Sequence, residues 1–161
     1  MNETKHGTTF ESEQNMKSIL TWKENMHFEA QAAGHNVDMD AKAPIGKGSA
    51  QTPKELVLAG LGGCTAMDVM ALMKKHKQPV QSFEVEVDVA TSTGGSPMVF
   101  TKADIYFRLG GEIDKNLALE AAHLSQTKYC GVSAMLLKAF PIEYHVFVNG
   151  EKVGSGFSKF E

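Results

Sequence analysis

The stretch from Leu56 to Met73, LVLAGLGGCTAMDVMALM, most limits what this chain can fold into, because its only clearly polar residues are Thr65 and Asp68. By length it could span a membrane. However, Asp68 lies near its middle, three glycines interrupt it, and the chain has no second such stretch. A helix that is apolar all round is otherwise one buried on all sides. We therefore predict a central helix of a globular protein, with no membrane partner.

The start and the packing of this helix are also visible in the sequence. Thr52 can act as the N-cap, with Pro53 at the first helical position and Glu55 completing a capping box. Three glycines in the helix interior should each cost about 1 kcal/mol relative to alanine. Close approach of another helix or backbone would offset that cost, so we expect tight packing around Gly60, Gly62 and Gly63.

The remaining segments predict an α+β fold. Strands are expected at 16–22, 26–32, 35–39, 82–91, 98–109 and 142–148, where apolar residues alternate or form short runs between turns. Two further helices are expected, one capped by Asp114 and one over 130–139. Residues 1–15 are polar and predict a loose arm, whereas residues 16–161 contain no linker or repeat and predict a single domain.

Charge and cysteine count exclude several classes of protein. The net charge is −3, from 16 basic and 19 acidic residues, and Arg108 is the lone arginine, so we expect no nucleic-acid partner. The N-terminus lacks the apolar core of a signal peptide. Two cysteines, Cys64 and Cys130, are too few for a secreted disulfide scaffold. These observations favour a cytoplasmic location.

The two cysteines are the main candidates for chemistry. Either thiol alone is more often a small buried apolar group, but here each lies on a strongly apolar helix, and the two helices are expected to pack together. Cys130, near a helix start, should have its thiolate favoured by backbone N–H groups. The chain has no CxxC pair and its six histidines are scattered, so we expect no metal; it also lacks the GxSxG motif of serine hydrolases.

Asp68 follows Cys64 by four residues and so shares its helix face. A carboxylate beside a thiol would raise the pKa of that thiol and hinder thiolate formation. The simpler interpretation, which we favour at this stage, is that Asp68 bonds a nearby backbone donor or reaches the surface.

The stretch TPKELVLAGLGGCTAMDVMALMKK, followed by KYCGVSAMLLKAF, resembles the OsmC/Ohr family of osmotically induced and organic hydroperoxide resistance proteins, and in particular its YhfA-like branch. The resemblance implies an intertwined homodimer in which antiparallel sheets wrap around two buried central helices, with the active site at the subunit interface. It also implies that Cys64 attacks a hydroperoxide and that Cys130 resolves the product to a disulfide. An external dithiol would then reduce that disulfide, without metal or organic cofactor.

The sequence departs from the hydroperoxide-resistance branch at two supporting positions. That branch uses an arginine from its N-terminal part and a glutamate ten residues before the first cysteine. Here Lys54 stands ten residues before Cys64, Glu55 follows it, and no arginine precedes Arg108. Lys54 and Glu55 are therefore candidate supporting residues, although an ammonium does not reproduce the fork of a guanidinium. The alternative function is a non-enzymatic binding protein for a small apolar ligand, with redox-silent cysteines.

Overall fold

The first of the two units into which the chain divides, Met1–Pro53, contains a three-stranded antiparallel sheet. Its strands are β1 (Ile19–Glu24), β2 (His27–Ala32) and β3 (His35–Met39), in the order β1-β2-β3. The computed structural model describes residues 15–160, so the predicted arm lies outside the described residues apart from Asn15. The three predicted strands are confirmed, with ends that differ by up to three residues.

The loop after β3 is organised around the Asp40 carboxylate, which is only 2% exposed. It accepts hydrogen bonds from the backbone N–H groups of Ala41, Lys47 and Ser49 and from the Ser49 hydroxyl, at 2.8 to 3.2 Å. Gly46 is required here, since a Cβ at this position would collide with the Ala41 carbonyl. Donation to the charged form, led by the Ser49 N–H, lowers the pKa of Asp40.

The second unit, Lys54–Glu161, contains a four-stranded sheet in the order β4-β5-β6-β7. The strands are β4 (Ser82–Thr91), β5 (Phe100–Gly110), β6 (Ile142–Val148) and β7 (Glu151–Phe157). β5 and β6 pair in parallel and the other neighbours pair antiparallel, so this sheet is mixed rather than purely antiparallel. The α+β fold class is confirmed.

The sequence prediction that β6 is the last strand is wrong, because β7 follows it. Its sequence, EKVGSGF, contains two glycines, which ordinarily weaken a strand. Both are needed here: a Cβ at Gly154 would collide with the Leu119 side chain, and one at Gly156 with the Tyr144 ring. Glycine at these two positions therefore lets β7 lie close to the larger side chains of Leu119 and Tyr144.

Three α-helices accompany this sheet: α1 (Pro53–Lys75), α2 (Lys115–Leu124) and α3 (Gly131–Leu136). α1 begins at Pro53 as predicted. The Asp114 side chain caps α2 by accepting from the N–H groups of Asn116 and Leu117. Between α2 and α3 the chain makes one turn of π-helix, Ser125–Tyr129, which the sequence did not indicate.

α1 is not buried on all sides within the described chain, so this prediction is corrected. Its buried positions recur every four residues at Leu61, Thr65, Val69 and Met73. The opposite face is open, and Met67 is 75% exposed. α1 is long and apolar enough to cross a membrane by length and composition alone, but its buried face belongs to the protein core, together with the inward side chains of β5 and β6.

Only one of the three helix glycines lies at a close contact. A Cβ on Gly62 would approach Cγ2 of Val87 to 3.2 Å, whereas Gly60 and Gly63 have open space around the same position. The prediction of tight packing is therefore confirmed at Gly62. Within this chain it is wrong at Gly60 and Gly63.

Candidate active site

Cys64 and Cys130 lie together in the second unit. Cys64 is on α1 and is half-buried, whereas Cys130 follows the π-helical turn and is fully buried. Both are free thiols, and their Sγ atoms lie within 4.8 Å of each other. The prediction that the two cysteine-bearing segments pack together is confirmed. A short approach would bring the sulfurs to the 2.05 Å of a disulfide.

The backbone around Cys130 explains the position of its thiol. The π-helical turn ends with a hydrogen bond of 2.9 Å from the Cys130 N–H to the Ser125 carbonyl. Cys130 then leaves helical geometry, with φ −71° and ψ 100°, and becomes the N-cap of α3. Its Sγ accepts a hydrogen bond of 3.3 Å from the Ser133 N–H. Hydrogen bonds to one residue before Cys130 and one residue after it thus fix the position of the thiol.

The helix start favours the Cys130 thiolate as expected, but burial outweighs it. Burial raises the pKa of Cys130, and the Ser133 side chain and N–H oppose this only in part. The nearby Cys64 thiol acts in the same direction as burial. A short helix supplies few N–H groups, and the loss of water around a fully buried sulfur outweighs them. Cys130 is therefore a protonated thiol at neutral pH.

Asp68 is the third member of this cluster, since one of its carboxylate oxygens lies within 4.8 Å of both sulfurs. The Ser125 hydroxyl donates a hydrogen bond of 3.0 Å to Oδ2 of Asp68. Asp68 is partly exposed, as the interpretation that it reaches the surface allows, but the donor that it bonds is a side chain rather than the backbone. Burial raises the pKa of this carboxyl, and the hydrogen bond from Ser125 lowers it in part.

A chain of buried side chains leads to Asp68. The Ser158 hydroxyl donates to Oε1 of Gln126 (2.6 Å), and Nε2 of Gln126 donates to the Thr65 hydroxyl (2.7 Å). Thr65 and Ser125 share a hydrogen bond of 2.7 Å, and Ser125 donates to Asp68. Ser125 donates its single hydroxyl proton to Asp68, so in the bond between Thr65 and Ser125 it is Thr65 that donates. Along the whole path, each donor therefore lies on the side of its acceptor that is farther from the Asp68 carboxylate. In the sequence Thr65 stands out only as a polar residue in an apolar stretch, and its spacing of four from Leu61 is the one signal of its burial.

The two supporting candidates lie at the other end of the same helix. Lys54 Nζ donates to the Met98 carbonyl (2.5 Å) and lies 5.9 Å from the centroid of the Phe100 ring. Glu55 is in the first turn of α1. Ten residues of helix separate Lys54 from Cys64, a rise of about 15 Å. Neither residue belongs to the cluster of thiols and carboxylate, and their supporting roles remain predictions.

Two groups of side chains in the described part of the chain could hold a metal ion. One is the cluster of Cys64, Cys130 and Asp68, and the other is Asp104, Glu143 and His145. In the second group, Lys102 Nζ already lies 3.0 Å from Asp104 and 3.2 Å from Glu143, so an ammonium balances the carboxylates. The first group consists of two thiols beside one carboxyl group, so it combines reactive sulfurs with a group that can take up or release a proton.

Comparison with known proteins identifies the family. A model of the family described as "OsmC-like protein" matches residues 46–145. Protein YhfA of Escherichia coli (strain K12) is 34% identical over 131 residues, covering 80% of this chain and 95% of YhfA. The chain belongs to the OsmC-like family. The resemblance drawn from the two cysteine-bearing motifs is thereby confirmed.

Solved structures agree with the OsmC-like fold. The OsmC-like protein from Mycoplasma pneumoniae superposes with a TM-score of 0.73 at 13% identity, covering 85% of this chain and 99% of that one. An organic hydroperoxide resistance protein OsmC from Legionella pneumophila superposes with a TM-score of 0.64 at 17% identity, covering 86% and 100%. At such identities these matches establish the fold alone.

Proposed function

We propose that the protein is a cysteine-based peroxidase that reduces organic hydroperoxides by a cycle between Cys64 sulfenic acid and a Cys64–Cys130 disulfide. The observation that carries this proposal is the approach of the two free sulfurs within 4.8 Å. OsmC-like family membership and the likeness to an organic hydroperoxide resistance protein of Legionella pneumophila support a peroxide-related role. The chemistry requires no metal or organic cofactor.

The cycle has three steps. The Cys64 thiolate attacks one oxygen of the hydroperoxide, the O–O bond breaks, and the sulfur becomes a sulfenic acid as an alcohol leaves. The Cys130 sulfur then attacks Cys64 Sγ, the S–O bond breaks, and water leaves as the disulfide forms. An external dithiol reduces the disulfide by exchange and returns both thiols.

Exposure decides which thiol reacts first. Cys64 is half-buried and can meet a substrate, whereas Cys130 is 0% exposed and burial raises the pKa of its thiol. A buried, protonated thiol is a poor first nucleophile toward a diffusing peroxide. It is adequate as a resolving thiol, because its target sulfur is already adjacent. This supports the assignment of attack to Cys64 and resolution to Cys130.

We further propose that the protein is a homodimer whose interface includes the open face of α1. Val57, Gly60, Cys64, Met67 and Ala71 lie on that face with the alternating spacing of three and four residues that pairs helices. Val57 and Met67 are exposed in the single chain, and Gly60 has open space where a Cβ would lie. A second copy packed on this stripe would cover the apolar residues and place the Cys64 thiol at the interface.

The cellular setting proposed for this cycle is the cytoplasm. A chain with two reduced cysteines and a dithiol-dependent cycle needs a compartment that supplies reducing dithiols.

The test is consumption of cumene hydroperoxide by the purified protein in the presence of a dithiol. We expect Cys64→Ser to abolish consumption. Cys130→Ser should still be oxidised once, leaving a sulfenic acid on Cys64 that dimedone traps. Wild-type protein given one equivalent of peroxide should instead yield a Cys64–Cys130 disulfide by peptide mapping. If both variants consume peroxide as the wild type does, the cysteines are bystanders and the proposal is wrong. Dimedone labelling of Cys130 in active Cys64→Ser protein would reverse the two roles.

A further inference from the structure

The proposed cycle needs proton transfers that two thiols cannot supply by themselves. Breaking the O–O bond of an alkyl hydroperoxide releases an alkoxide, which is a strong base and leaves readily only if it is protonated. The second step must remove a proton from the Cys130 thiol and deliver one to the departing hydroxide. Both events occur at the cluster where the two sulfurs lie within 4.8 Å of a carboxylate oxygen.

We infer that Asp68 is a catalytic residue that donates a proton to the leaving alkoxide and then carries the Cys130 proton to the leaving hydroxide. This inference rests on the proposed peroxidase function and deepens it. Asp68 is the ionisable oxygen group of the cluster, and its oxygen lies within 4.8 Å of each sulfur, so it can reach an oxygen atom that reacts at Cys64.

The first step balances once the Asp68 carboxylate has accepted the proton of the Cys64 thiol, which leaves a thiolate beside the acid form of Asp68. The Cys64 thiolate forms a bond to one peroxide oxygen while the O–O bond breaks. The Asp68 proton goes to the other oxygen, so the products are Cys64 sulfenic acid, an alcohol and the Asp68 carboxylate. The sulfur of Cys64 is oxidised and the peroxide is reduced.

The second step balances with Asp68 in its base form. The carboxylate accepts the proton of the Cys130 thiol as that sulfur attacks Cys64 Sγ. The S–O bond breaks, and the same proton passes from Asp68 to the departing hydroxide to form water. The disulfide forms and Asp68 ends as a carboxylate. Reduction by the dithiol returns both cysteines to thiols, and transfer of the Cys64 proton to Asp68 starts the next cycle.

The surroundings of Asp68 suit a group that alternates between acid and carboxylate. Burial favours the acid by raising the pKa of Asp68. The Ser125 hydroxyl, at the end of the chain of hydrogen bonds from Ser158, donates to Oδ2 and stabilises the carboxylate once it forms. Burial opposes ionisation of Asp68 and the hydrogen bond from Ser125 supports it, so both the acid and the carboxylate form are accessible.

Asp68 could instead serve only to anchor the π-helical turn through Ser125. The two roles differ in their dependence on the leaving group. An alkoxide needs a proton in order to leave, whereas the acetate released from peracetic acid is a weak base and does not. A lost proton donor therefore slows the alkyl hydroperoxide alone, while a displaced thiol slows both oxidants.

The experiment measures single-turnover oxidation of Cys64 by tert-butyl hydroperoxide and by peracetic acid in Cys130→Ser protein, where the second step is absent, followed as loss of free thiol. With Asp68→Asn we expect the rate with tert-butyl hydroperoxide to fall by roughly 10²- to 10⁴-fold. The rate with peracetic acid should fall by less than about threefold. Asp68→Glu retains the carboxyl group and should recover part of the rate with the alkyl hydroperoxide. Ser125→Ala removes the anchor but keeps the carboxyl group, so its rate with tert-butyl hydroperoxide should stay well above that of Asp68→Asn.

Equal losses with the two oxidants in Asp68→Asn, matched by those in Ser125→Ala, would overturn the inference and leave Asp68 a positioning residue. An unchanged rate in Asp68→Asn would also overturn it. If Asp68→Asn does not fold, Asp68→Glu decides, because a structural anchor predicts no selective effect on the alkyl hydroperoxide. Failure of wild-type protein to react with tert-butyl hydroperoxide would instead refute the proposed function itself.

Discussion

Ser125 contacts both cysteine-bearing segments: its hydroxyl donates to Oδ2 of Asp68 on α1 at 3.0 Å, and its carbonyl accepts from the Cys130 N–H at 2.9 Å. Asp68 is one helical turn beyond Cys64. A single buried serine therefore links the helix that positions one thiol to the turn that positions the other. The distance between the sulfurs depends on this link as well as on apolar packing.

We expect Ser125→Ala to lower the free energy of unfolding by about 1–3 kcal/mol, because the substitution leaves the buried Thr65 hydroxyl without its acceptor. Urea unfolding measures the change. Ser155→Ala, at an exposed position of β7, is the matched control and should stay within about 0.5 kcal/mol of wild type. Equal effects of the two substitutions would show that the buried chain of hydrogen bonds contributes little to stability.

The two thiols should differ in reactivity toward a small alkylating reagent. Cys130 is fully buried and burial raises the pKa of its thiol, so a smaller fraction is thiolate than for an exposed cysteine. We expect iodoacetamide to modify Cys64 roughly tenfold faster or more at neutral pH. Timed quenching and peptide mapping give both rates. In urea the difference should disappear; faster labelling of Cys130 in folded protein would contradict its assignment as the resolving thiol.

Much of the fold follows from local sequence signals. The cap at Asp114 and the start of α1 at Pro53 were predicted because they depend on residues within a few positions of each other. The strands with alternating patterns, such as β4, were predicted for the same reason. β7 was missed because its glycines are explained only by Leu119 and Tyr144, which approach from distant parts of the chain.

The cysteine pair of the site was predictable, whereas its electrostatics were not. Position near a helix start suggested a favoured Cys130 thiolate, but burial reversed the direction of the pKa shift, and burial is a property of the assembled fold. Likewise, Thr65 and Ser125 are 60 residues apart, so no spacing rule could have paired them. The surroundings of Asp68 become visible only when Ser125 and both sulfurs are placed around it.

Gly62 should be intolerant of larger side chains, because a Cβ there would lie 3.2 Å from Cγ2 of Val87. We expect Gly62→Leu to destabilise the protein by about 1–3 kcal/mol through overpacking. Gly63→Ala, at the neighbouring position with open space, should be neutral or stabilising by up to about 1 kcal/mol through helix propensity. Thermal unfolding compares them; a stable Gly62→Leu protein would mean that β4 can move away from α1.

The loop around Asp40 should make the first unit sensitive to acid. The folded-state pKa of Asp40 is lowered by donation from Ser49, so its contribution to stability is present above the ordinary value of 3.8 and is lost as pH falls through the folded-state pKa. Asp40→Asn should therefore destabilise this unit at neutral pH, with a difference from wild type that shrinks in acid. Fluorescence of Trp22, the only tryptophan, reports on this unit. A difference that does not change with pH would refute the explanation.

The open face of α1 gives the most direct test of the proposed dimer. Met67 is 75% exposed in the single chain and lies three residues beyond Cys64 on the stripe that we expect a second copy to cover. Met67→Glu would place a carboxylate from each subunit in an apolar interface, where a charge is costly to bury. Light scattering at micromolar concentration should then give a monomeric mass, against a dimeric mass for wild type. Met98→Glu is the control, since Met98 is 56% exposed but lies between β4 and β5 and is not part of α1. A monomeric wild type, or a dimeric Met67→Glu protein, would show that this stripe does not hold two copies together.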